Sequence, residues 1–379
     1  MKRILTLALA SALALPALAH AEKGSPLWLR HQQISPDGSQ IAFCYKGDIY
    51  TVPTAGGQAL RLTSNAAYDG TPIWSPDSRS LAFSSDREGS KDVYIVKADG
   101  SGLRRLTYSS EKEVPVAFLD GSTLLFQSYV MPDVKDGMYP WDWFVQTYSL
   151  DLSKTIARPK LYGAYPMLMP SLRGGEILYT DVKGYEDIWR KHAVSPVTRD
   201  IWLHSKDGKH TKLTTFGGED RNALWDSKGG FYYLSEREGS FNVYHRDAAA
   251  AAAADKKITS FTKDPVRFLS IASNGTLCYG FDGEIYTQTP GGQPTKVNVS
   301  IVRDQEESAI NPETIRDGVS SFAVAPSNKE IAFIVHGDVF VTHTEYGTTK
   351  RLTSTPEEER DVDFSNDGKK IVYAAERNG

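Results

Sequence analysis

The chain has 379 residues, 40% hydrophobic, 24% charged and 11% aromatic, which excludes disorder and collagen-like repeats and is too long for one small core. Lys plus Arg number 43 against 47 Asp plus Glu, so no bulk positive charge draws the protein onto nucleic acid or an anionic membrane. With 31 Gly and 19 Pro for turns and 19 Tyr and 15 Phe for strands, the composition points to an all-β fold.

Residues 1–21 read as an export signal. Lys2 and Arg3 form its positive end, Ile4 to Leu18 its apolar stretch, and Ala19, His20, Ala21 a small-x-small site predicting cleavage after Ala21. The apolar run is shorter than the roughly 20 residues of a membrane span and is interrupted by Pro16. No membrane span is expected, and the localisation predicted is periplasmic or secreted.

From Ser35 onward the sequence repeats itself. One unit runs Ser35, Pro36, Asp37, Gly38, then Ile41, Ala42, Phe43, then Asp48, Ile49, Tyr50, then Leu62, Thr63. The next runs Ser75, Pro76, Asp77, Ser78, then Leu81, Ala82, Phe83, then Asp92, Val93, Tyr94, then Leu106, Thr107. The Ser-Pro-Asp turn separates a first strand from a nearly continuous apolar second one, as expected where both faces of a sheet are covered. The Asp-Ile-Tyr and Leu-Thr segments are read as third and fourth strands, and four-stranded units of roughly 40 to 45 residues are propeller blades.

Weaker copies follow at Leu124, Leu125, Phe126; at Ile177, Leu178, Tyr179 with Asp200, Ile201, Trp202; at Tyr232, Tyr233 with Asn242, Val243, Tyr244; and at Leu277, Cys278, Tyr279. Residues 25–299 are therefore predicted to form a six-bladed β-propeller of four-stranded antiparallel blades. Residues 300–316 are polar and acidic and are read as a linker. The repeat resumes over 317–379, at Ala325 to Asn328 and again at Ser365 to Gly368, as the start of a second, incomplete propeller. The last copy stops at Glu376, Arg377, Asn378, Gly379, the turn matching Asp86 to Gly89 and Glu236 to Gly239, so the chain reads as a fragment. A single eight-bladed ring is the alternative.

Two loops between second and third strands are enlarged. The one in blade 3 carries Tyr139, Trp141 and Trp143; the one in blade 4 carries Tyr185, Trp189, Arg190, His192 and Arg199. Strand alternation brings both loops to one face of the disc, as an aromatic and basic ridge. These residues either anchor an interface or staple the loops onto the propeller. Residues 248–254 are seven alanines, read as a surface-loop insertion. Cys44 and Cys278 are the only cysteines; aligning Phe43 with Tyr279 points both sulfurs to the same side of their blades, which predicts two free thiols. No zinc motif, G-x-S-x-G elbow, phosphate loop or dinucleotide fingerprint occurs, so no catalytic residue, cofactor or metal is assigned.

The run Lys183, Gly184, Tyr185, Glu186, Asp187, Ile188, Trp189, Arg190, Lys191, His192, followed by Ser195 and Val197 to Trp202, resembles bacterial tricorn protease homologues. In that family a six-bladed propeller precedes a seven-bladed one, a PDZ domain and a serine protease core. The resemblance implies the amino-terminal propeller portion of such a peptidase, with the catalytic serine, histidine and glutamate in the later core and at no position here. It implies peptides or unfolded polypeptide as partners, together with the downstream PDZ and protease core and a homo-oligomer. A TolB-like periplasmic binding scaffold, and the propeller of a prolyl-oligopeptidase-like enzyme, remain open.

Overall fold

The computed structural model describes residues 26–129, 145–163, 165–185, 195–302 and 317–377. Between Arg30 and Lys296 the repeat becomes six four-stranded antiparallel sheets in sequence order. Blade 1 comprises Arg30–Ile34, Gln40–Tyr45, Asp48–Pro53 and Leu60–Arg61. Its first strand packs on those of both blade 2, Asp69–Trp74, and blade 6, Arg267–Ile271, so the ring is closed. At the rim Val299–Ser300 pairs in parallel with Gly57–Gln58. This contact carries the propeller one residue into the stretch read as linker, and Ile301 is buried beside it. Blade 6 seals onto blade 1, which rules out the eight-bladed ring.

The apolar second strands are explained by the layers they separate. Ile41 and Phe43 face blade 6, in a cluster with Cys278, Ile285 and Val297. Ala42 and Cys44 face blade 2, with Leu81, Phe83 and Tyr94. A strand buried on both sides loses the polar-apolar alternation of a half-exposed one. The two cysteines consequently lie in different layers with the blade 1 sheet between them. Both are free, and burial pushes each thiol up to about 12.

The repeated polar residues tie strands together. In Asp-Ile-Tyr and Leu-Thr the threonine hydroxyl accepts a bond from the amide after the aspartate: Ile49 N to Thr63 Oγ1 at 3.0 Å, Val93 N to Thr107 at 2.8 Å, Ile201 N to Thr214 at 3.0 Å. The aspartate pairs with a base two residues before that threonine, as in Arg61 to Asp48 at 2.6 Å, Arg105 to Asp92 at 2.8 Å and Lys212 to Asp200 at 2.8 Å. The Leu-Thr residues thus follow the fourth strand, which is the short segment before them (Leu60–Arg61, Arg104–Arg105), because the threonine turns inward to cap the third strand. In the Ser-Pro-Asp turn, Ser75 Oγ donates to Asp77 at 2.6 Å. The alanine run closes the hairpin between the third and fourth strands of blade 5, with the Ala250 carbonyl accepting from Arg246.

Beyond the ring, Val319–Val324 to Thr349–Arg351 form a seventh four-stranded sheet, and Glu359–Phe364 pairs with Ile371–Ala375. These two sheets share a core of Ala332, Ile334, Val339 and Val362.

Candidate functional site: the loop face

Because strands alternate, each blade sends its second-to-third-strand loop, and its link to the next blade, out of the same face. On blade 1 these are Lys46, Gly47 and Tyr68; on the seventh sheet the matching hairpin is His336, Gly337. Both sets line one cleft of 590 Å³, so the second unit is seated with its loop face against that of the ring, over blades 1 and 6. A second cleft, of 310 Å³, lies between Arg267 and Phe268 of blade 6 and Arg360 and Asp361 of the last sheet. Arg30 joins the two units: its guanidinium reaches Glu376 at 2.6 Å and Glu358 at 3.2 Å, above the Trp28 ring. Burial raises the Glu376 carboxyl above its ordinary value, with Arg30 acting in the opposite direction.

The enlarged loops of blades 3 and 4 leave the same face. Tyr139, Trp141, Trp143, Trp189, Arg190 and His192 lie outside the described residues. Tyr185 is 91% exposed. The base of its loop is built by Asp181, which accepts from Asp200 N at 2.7 Å and Trp202 Nε1 at 3.0 Å, and by Lys183, bonded to Asp200 and the Thr198 carbonyl. A Cβ on Gly184 would come within 2.7 Å of Val197 Cγ1, so the two stems of the loop touch. Arg199 leaves the ridge: it is buried, pairing with Glu219 of blade 5 at 3.3 Å, which also holds Arg221 at 3.2 Å. It lies two residues before the third strand, in the buried run Thr198 to Ile201, so its charge pins blade 4 to blade 5 instead of facing solvent.

Sequence reading missed a set of carboxylates at the start of the first strands. Asp69 receives Arg87 at 2.9 Å, and Glu359 receives Arg377 at 3.2 Å; Arg87 also lies over Tyr94, as Arg237 lies over Tyr244. The signal was present: an acid-Arg-x-Gly turn about 18 residues after an Asp or Glu. In blade 3 the enlarged loop replaces that turn, and residues 128–145 contain no arginine. Glu113, in the matching position and 3% exposed, is pushed up to about 7, chiefly by burial, against hydrogen bonds from Thr107 and the Ser109 amide.

Residues 26–293 match the tricorn protease N-terminal beta propeller domain. The chain belongs to this family. It is 23% identical over 344 residues to tricorn protease homolog 1 of Streptomyces coelicolor, covering 88% of this chain and 30% of that protein. With putative tricorn protease homolog 2 of the same organism the identity is 24% over 357 residues, covering 89% of this chain and 28% of the relative. The chain therefore spans less than a third of the length of these relatives. The tricorn protease crystal structure superimposes with a TM-score of 0.62 at 18% identity, over 92% of this chain and 33% of that one, which supports the shared fold. In this tricorn-family propeller no group of three or more His, Cys, Asp or Glu is arranged for a metal ion among the described residues, and none of their helices is long and apolar enough to cross a membrane.

Proposed function

We propose that this chain is the non-catalytic propeller region of an exported tricorn-type serine peptidase, guiding peptide substrates or products and docking onto the protease core. The observation that carries the reading is the shared orientation of the loop face. The second unit is seated on it over blades 1 and 6, and the enlarged loops of blades 3 and 4 emerge from it across the ring. A partner meeting that face contacts the second unit and the loops together, and exposed Tyr185 is the described member of the ridge. Trp, Tyr and Arg are the side chains that most often dominate such contacts, each typically worth more than about 2 kcal/mol.

In the full-length protein, Trp141→Ala combined with Trp189→Ala is expected to weaken assembly or slow peptide processing while the propeller keeps its circular dichroism and unfolding midpoint. Unchanged assembly and processing in a folded double variant would sink the docking role; an unfolded propeller would assign the loops to stapling instead. Export is tested separately, by whether the mature protein begins at Glu22.

A further inference from the structure

We propose that His204 and His210, at the outer rim of blade 4, form a chelating site for one borderline divalent cation of the Cu2+, Ni2+ or Zn2+ class. The two residues stand directly opposite each other on Ile201–His204 and His210–Lys212, across the turn closed by Gly208 N to Ser205 O. Their ring centroids are 4.7 Å apart with planes inclined by 38°. Two imidazoles bound to one cation through bonds of about 2.0–2.1 Å, at a right or tetrahedral angle, have ring centres roughly 5 Å apart. The ring separation of the pair matches that of two imidazoles on one cation.

The surrounding groups fit a ligand pair better than a plain aromatic stack. His210 Nδ1 lies 2.8 Å from the Tyr179 hydroxyl, which leaves Nε2 for the cation and fixes the ring, as a second hydrogen bond does for most metal-binding histidines. Tyr165 stands edge-on to His210 at 4.5 Å. His204 Nδ1 is buried with no hydrogen-bond partner, a position that costs free energy unless something occupies it.

Since no third His, Cys, Asp or Glu joins the pair among the described residues, water completes the coordination, and Cu2+ should bind tightest. No linear motif announces this site, because the hairpin supplies both ligands from a His-x5-His spacing that is too long for one helical turn.

The test is titration of the chelator-treated, folded chain with copper(II) chloride alone, followed by electron paramagnetic resonance and by quenching of Trp202, which packs on the same side of the sheet as Tyr179. Expected is one Cu2+ per chain with hyperfine structure from two imidazole nitrogens. His204→Asn and His210→Asn should each lose that signal, Tyr179→Phe should bind about 10-fold more weakly, and His336→Asn should bind as the parent does. Binding that survives both histidine substitutions, or a folded parent that takes up no Cu2+, overturns the proposal. Should the histidine variants fail to fold, diethylpyrocarbonate labelling of the parent decides: Zn2+ must protect His204 and His210 together, and equal labelling with and without Zn2+ refutes the site.

Discussion

Glu113→Gln is expected to stabilise the protein at alkaline pH and to leave it unchanged in acid. Glu113 is 3% exposed, and burial pushes its carboxyl from an ordinary 4.5 up to about 7. The folded chain thus binds this proton more tightly than the unfolded chain does. Its contribution is fully present below about 4.5, falls as pH rises towards 7, and is gone above it. At about 1.36 kcal/mol for each pH unit separating those values, the loss approaches about 3 kcal/mol as a ceiling. A glutamine keeps an oxygen for Thr107 and the Ser109 amide and offers N–H to Asp92 as the protonated acid does, while never ionising. Asp220, raised to about 6 by burial, acts with the same sign in both proteins and cancels in their difference. Urea midpoints measured from pH 4.5 to 8.5 should therefore diverge, with the variant ahead by up to about 3 kcal/mol at pH 8 and level at pH 4.5. Parallel curves across that range would refute the assignment of a buried, protonated Glu113.

Phe83, fully buried and 5.9 Å from Tyr94 in the layer between blades 1 and 2, should cost about 3–5 kcal/mol on substitution by alanine, read from the urea midpoint. Arg30→Ala removes the charged bonds to Glu358 and Glu376 and should weaken the junction by about 1.5–3 kcal/mol, seen as faster amide exchange over residues 319–375 with the strands of blades 3 to 5 unaffected. Cys44 and Cys278, buried and pushed up to about 12, should resist a thiol reagent at pH 8 in the folded protein and both react in denaturant; rapid reaction of either without unfolding contradicts the packing.

The blade count was legible because each unit must bury its second strand on both faces, so Ile41, Ala42, Phe43 and Leu81, Ala82, Phe83 stand out at a fixed spacing whatever surrounds them. The cysteine geometry was equally local, since strand pleat alone sends Cys44 and Cys278 into different layers. Where the Leu-Thr pair falls was misread, because the threonine hydroxyl caps the neighbouring strand and so ends the pairing that a strand pattern would continue. Arg199 went wrong for a related reason: sequence shows a charge beside an enlarged loop, but only the approach of blade 5 supplies Glu219 and makes burial of that charge tolerable. The closure of blade 6 onto blade 1 and the seating of the second unit through Arg30 depend on which surfaces come together. Repetition in the sequence specifies each sheet from within, since hydrogen-bond ladders and apolar spacing are properties of adjacent residues. Partners between sheets are set by packing across segments far apart in the chain, such as Arg30 and Glu376, and the local pattern carries no record of them.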